Sequence, residues 1–179
     1  DAPQRLPGDL LRRRWATRPV QYLSSERGMP TIQHTLVVCP KPEARLAVLR
    51  QFLKGVHVPT VVFFDEKRLT LLPKIASALK QDDLRVDVLN EADDLESRSS
   101  AFEAFVRGEV DVLLTTDLAA RGLDAPRTSL VVNFDVPRTA TDYLHRAGRT
   151  ARLGRNGAVL TICEENERFV VERFGNKLG

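Results

Sequence analysis

Cysteine, methionine and tryptophan are scarce here, with two, one and one among 179 residues. Cys39 and Cys163 lie far apart inside the apolar runs "TLVVCP" and "GAVLTICEE". That argues against a disulfide scaffold and reads as buried thiols in a reducing, intracellular compartment. His34, His57 and His145 form no ligand cluster with the cysteines, so no metal centre is expected. Long hydrophobic runs are missing too, as is a secretory signal, so no membrane partner is expected. The chain starts at Asp1 rather than Met, as a fragment or trimmed chain would. There is no strong charge excess either. A net charge of +3 and a pI near 9.1 permit an anionic partner without demanding one, so the arrangement of charge matters more than its sum.

What the chain does have is alternation. Residues 1–30 lack a sustained period, are punctuated by Pro and Gly, and read as a linker or arm carrying Arg12, Arg13, Arg14 and Trp15. From Thr31 onward, in the expected domain 31–179, short β-branched or apolar runs recur: "TLVVC", "TVVFF", "RVDVL", "VDVLLT", "SLVVNF" and "GAVLTI". Several are too uniformly apolar for half-exposed strands and suit strands covered on both faces. Helical spacing fills most gaps. In "PEARLAVLRQFLKG", Leu46, Leu49, Phe52 and Leu53 share one side and Gly55 closes the turn; "DLESRSSAFEAFVRG" repeats the scheme with Phe102, Phe105, Val106 and Gly108. Such alternation predicts an α/β domain, a parallel sheet with helices on both faces.

In such sheets, ligands sit where strands run into the loops that lead to helices. After "VDVLL" comes "TTDLAARGLDAP", Thr115 to Pro126, with two hydroxyls, a carboxylate, Gly122 and Asp124. Hydroxyls and backbone amides there can hold a phosphate, and a carboxylate suits a sugar hydroxyl. An ordinary capped helix start, with Thr116 or Asp117 as N-cap and Gly122 as C-cap, explains the same residues.

The segment "DYLHRAGRTARLGRNG" sets Arg146, Arg149, Arg152 and Arg155 three residues apart, with no acid between Leu144 and Ala158. Thr139 and Asp142 resemble a capping box, and Gly154 is a natural stop, so a helix is predicted to run through Gly148. At about 100° per residue, His145, Arg149 and Arg152 would share a sector of roughly 60°. A solvated helix would more often interleave acids with its bases. A phosphate or polyanion matches planar, multi-donor cations better.

"YLHRAGRTARLG" resembles the sixth signature motif of superfamily-two helicases and "TTDLAARGLD" the fifth, in the versions found in DEAD-box ATP-dependent RNA helicases. The resemblance runs from about Pro19 to the end and covers the C-terminal, RecA-like lobe of that family. It implies ATP with Mg2+, bound in a cleft between this lobe and an N-terminal RecA-like lobe that holds most of the nucleotide. It implies RNA as partner, beside ribonucleoprotein or assembly factors. Arg149 and Arg152 match the family's arginine fingers, which offset charge developing in phosphoryl transfer and are worth roughly 10³-fold or more in rate. His145 and Arg146 match residues linking the segment to the nucleotide site, and Asp124, beside Gly122, matches the carboxylate on the ATP ribose. Thr116 and Arg98 match residues that hold the RNA backbone, and Phe63 in "VVFF" matches the fourth motif's aromatic.

Some positions depart from the pattern. Leu95 stands where the family has glutamine, Glu66 lies near a usual hydroxyl, and Pro73 interrupts the helix expected after "TVVFF". The nucleotide-facing set is intact and part of the RNA-facing set is altered, which predicts retained ATP-dependent closure with a weaker or reshaped RNA grip. No G-x-x-x-x-G-K-[ST] loop or Asp-Glu-Ala-Asp run occurs, so the lobe alone is expected to be inactive. An inactive RNA-binding or assembly platform and a lobe of a DNA helicase are the alternatives.

Overall fold

The structure, a computed structural model, describes residues 32–122, 124–152 and 156–178, with side chains through residue 174. The expected arm over 1–30 and the helix stop at Gly154 lie outside the described residues. Strand β1 (Ile32–Cys39) leads to helix α1 (Ala44–Gly55), then β2 (Thr60–Phe64), a 3-10 turn (Glu66–Leu71), α2 (Leu72–Lys80) and β3 (Val86–Leu89). There follow α3 (Leu95–Arg107), β4 (Val112–Thr116), β5 (Leu130–Asn133), α4 (Ala140–Ala147), β6 (Gly157–Glu164) and α5 (Glu165–Leu178). The strands form one sheet in the order β1-β6-β5-β2-β4-β3, with every neighbouring pair parallel. The predicted α/β architecture is what the structure shows.

Strands β2, β4 and β5 are buried along their whole length, as uninterrupted apolar runs require in a sheet covered on both sides. Strand pleating then sorts alternate residues into two cores. Val62 and Phe64 face Leu49 and Leu53 of α1 and Leu72 and Leu79 of α2. Val61 and Phe63 face the other way, toward Phe105 of α3, Tyr143 of α4 and Phe174 of α5. No helix among the described residues is long and apolar enough to cross a membrane. Both cysteines are buried, and burial pushes the Cys163 thiol up to about 12.

Pro73 does not interrupt its helix. It occupies the first turn of α2, where its missing N–H would have lacked an intrahelical partner anyway, and the 3-10 turn absorbs the residues before it. Asp94 caps α3 by accepting from the Ser97 N–H at 2.7 Å, and Gly108 ends that helix at φ 83°.

Candidate nucleotide and nucleic-acid site

The loop after β4 is laid onto the α3–α4–α5 face by small residues: Ala119, Ala120 and Ala125 are all buried in that core. Thr116 starts it, its Oγ accepting the Ala119 N–H at 3.3 Å, which is the capping role open to it in the sequence. Gly122 follows at φ 74°, a conformation that costs a side chain free energy. A Cβ at Gly122 would meet nothing within 4 Å, so the backbone is open to an approaching ligand. Asp124, two residues on, is exposed.

Helix α4 begins as predicted. The Asp142 N–H donates to Thr139 Oγ at 3.0 Å, and the Thr139 hydroxyl donates to the Asp142 carboxylate at 2.7 Å. It ends earlier than predicted, at Ala147, with Gly148 as cap. Arg149 and Thr150 continue as a turn, their N–H groups donating to Arg146 and Ala147 carbonyls at 3.0 and 3.1 Å. Thr150 is the reason. Its side chain is buried and donates to the Thr128 carbonyl at 3.1 Å, pulling the chain down onto the sheet. Gly157 makes this fit, since a Cβ there would lie 2.5 Å from Thr150 Oγ and 2.6 Å from the Ala151 nitrogen.

The two cations matched to fingers therefore stand on a turn. They lie beside the amino ends of β5 and β6, because α4 must carry the chain from the carboxyl end of β5 back to the start of a parallel strand. The Thr116 loop leaves the carboxyl end of a strand, whereas this turn lies at the opposite edge of the sheet. Arg152 reaches Asp124 in a direct ion pair, and its Nε donates to the Gly148 carbonyl at 2.9 Å. Arg149 is half-buried in the same field, where burial, then Arg152, lowers its pKa against the pull of Asp124 and Asp117. An arginine stays charged under such a shift, and a partly desolvated guanidinium binds an anion more strongly than a hydrated one.

Arg146, matched to residues that link this segment to the nucleotide site, is 3% exposed and turned into its own domain. Its Nε and Nη2 grip the Asp117 carboxylate at 2.8 and 2.6 Å, and Nη1 donates to Asn133 Oδ1 at 3.2 Å and to the Asp135 carbonyl at 2.8 Å. Its guanidinium lies 5.1 Å from the centroid of the Phe63 ring. Phe63 is thus both strand packing and the platform under this cation. The cluster ties β2, β4, β5 and α4 together and orients the segment that carries Arg149 and Arg152. His145, in the last turn of α4, is exposed.

At the carboxyl end of β4 the residues matched to RNA contacts are engaged within the chain. Thr116 is fully buried, and its hydroxyl donates to Glu91 Oε2 at 2.8 Å. Arg98 leans from α3 over the same loop, its Nη2 lying 3.5 Å from the Ala119 carbonyl, while its buried Nε has no hydrogen-bond partner among the described residues. Leu95 is 79% exposed in the first turn of α3, and Glu66 is exposed beyond β2. Sequence reasoning missed Asp117 as the partner of Arg146, and it missed Asn133 and Glu91. Only Asp117 carried a signal, as an acid in a strand-end loop facing a segment with no acid of its own.

The model of the "Helicase conserved C-terminal domain" family matches residues 44–154. The chain is 41% identical over 143 residues to the ATP-dependent RNA helicase DRS1 of Candida albicans, covering 79% of this chain and 23% of that protein. It is 34% identical over 163 residues to the ATP-dependent RNA helicase ROK1 of Eremothecium gossypii, covering 89% and 28%. The chain thus spans about a quarter of the length of these two relatives. Among solved structures it is similar to S. cerevisiae Dbp5 bound to RNA and ADP BeF3, at 25% identity and a TM-score of 0.72, covering 86% of this chain and 40% of that one.

Proposed function

Since this chain belongs to the helicase conserved C-terminal domain family, we propose that it works as the second lobe of an RNA-stimulated ATPase of the DEAD-box branch. In this reading Arg149 and Arg152 complete an ATP site shared with an N-terminal lobe, and the rim near Arg98 and Thr116 meets the RNA backbone. The contact between Arg152 and Asp124, with Arg149 beside it, carries the proposal. Two planar cations suit phosphate oxygens and one carboxylate suits ribose hydroxyls, so the donor set fits a nucleotide.

ATP would supply the phosphoryl group whose transfer drives the cycle, with Mg2+ held mainly by the other lobe. The residues of this chain orient and neutralise. Arg149 and Arg152 stabilise charge on the terminal phosphate, and Asp124, exchanged from Arg152, accepts from the ribose. Arg146, held by Asp117 and Asn133, fixes the segment that bears the fingers. Backbone contacts to RNA give little sequence preference, and closure over RNA strains a short duplex. Alone the lobe hydrolyses ATP negligibly. The two buried thiols fit a reducing compartment. The names of the relatives, ATP-dependent RNA helicases, favour this over an assembly platform or a DNA helicase.

The test is turnover by the full-length protein with ATP and single-stranded RNA or DNA. RNA should stimulate hydrolysis more than DNA, and Arg149→Ala or Arg152→Ala should remove the stimulation. Normal hydrolysis in both variants would show that the finger assignment is wrong.

A further inference from the structure

Strands β3 and β4 pair in register, with Leu89 opposite Thr115, so the loop leaving β3 passes beside Thr116. Glu91 stands in that loop and its carboxylate accepts the Thr116 hydroxyl at 2.8 Å. Across the same loop Arg98 keeps a buried Nε without a hydrogen-bond partner among the described residues. A buried guanidinium N–H left unpaired is costly, so an acceptor that reached it would be held strongly. One donor of the rim is occupied by a carboxylate of the chain itself.

We propose that Glu91 is a specificity-determining residue that stands in for an RNA phosphate on Thr116. A carboxylate and a phosphate offer the same kind of charged oxygen acceptor, so the two compete for one hydroxyl. RNA gains Thr116 only when Glu91 swings away, and a displaced Glu91 still repels the incoming backbone. The surroundings add to this repulsion. Asp93, Asp94 and Glu96 follow on the same loop and first turn of α3, and Asp94 is already committed to its cap. Glu91 thus sets a threshold for RNA engagement that the exposed Glu66 does not, since the acid contacts the residue it controls. The inference rests on the reading of Arg98 and Thr116 as RNA contacts.

The test measures binding of a fluorescein-labelled single-stranded RNA to the full-length protein with a non-hydrolysable ATP analogue. Wild type, Glu91→Gln, Glu91→Ala, Arg98→Ala and the remote control Glu103→Gln are compared across a salt series. Removing one nearby like charge should tighten binding about three- to tenfold at low salt in both Glu91 variants, with the gain shrinking as salt rises. Arg98→Ala should weaken binding and Glu103→Gln should leave it unchanged. Unchanged or weaker binding in both Glu91 variants, with Arg98→Ala still weakening it, overturns the role of Glu91 alone. No effect of Arg98→Ala removes this rim as an RNA site, and the inference with it. Thermal melts of each variant separate these outcomes from misfolding.

Discussion

Arg152 and Asp124, 28 residues apart in sequence, lie in direct contact, so the cation read as a finger and the carboxylate read as a ribose contact neutralise one another within this lobe. In the proposed function, nucleotide binding would exchange partners instead of filling two empty sites. Asp124 is well exposed, and exposed ion pairs contribute only about 0–1 kcal/mol to stability.

The first prediction follows. Arg152→Ala in the full-length protein should leave the melting temperature within about 3 °C of wild type. It should lower RNA-stimulated ATPase on the order of 10³-fold. Asp124→Asn should instead raise the KM for ATP more than it lowers kcat. Steady-state kinetics beside a thermal melt distinguishes the two.

Arg146 should behave in the opposite way. Truncating it leaves the buried Asn133 Oδ1 without its donor, while water can reach the freed Asp117 carboxylate, so the loss is about 1–3 kcal/mol. Arg146→Ala should therefore lower the urea midpoint of the lobe measurably. Arg146→Lys should recover little, because an ammonium cannot bridge both Asp117 oxygens while also reaching Asn133.

Gly157→Ala tests the path from packing to site. The new methyl would press on Thr150 and Ala151, so the turn bearing Arg149 and Arg152 must shift. Overpacking of this kind costs about 1–3 kcal/mol. The variant should fold, melt lower and turn over ATP more slowly, with an unchanged affinity for RNA measured by anisotropy.

A pH dependence comes from His34, whose Nδ1 lies 2.6 Å from the Tyr143 hydroxyl. Burial lowers its pKa to about 4 from 6.5. The unfolded chain therefore binds this proton more readily than the folded one, and the stability due to His34 is complete above pH 6.5 and lost as pH falls toward 4. The loss is at most about 3 kcal/mol. His34→Gln should flatten the dependence of unfolding free energy between pH 4 and 6.5 by up to one proton's worth, read from urea melts across that range.

Much of this was legible in the chain. Runs such as "TVVFF" and "SLVVNF" could hardly be placed except in covered strands, and Thr139 with Asp142 marked the start of α4 because capping is chemistry between near neighbours. Its end was misread. The arginines at three-residue spacing look helical through Arg152, yet the helix stops at Ala147 and Thr150 buries its hydroxyl against the Thr128 carbonyl, 22 residues away.

The sequence by itself determined the α/β alternation, the parallel sheet and the residue types able to meet a nucleotide, because period, caps and motifs are properties of adjacent residues. Only the tertiary structure decided which charges meet. Arg146 with Asp117, Thr116 with Glu91 and Arg152 with Asp124 are joined through strand order and loop paths. A parallel sheet brings together residues tens of positions apart, and no local pattern records that pairing.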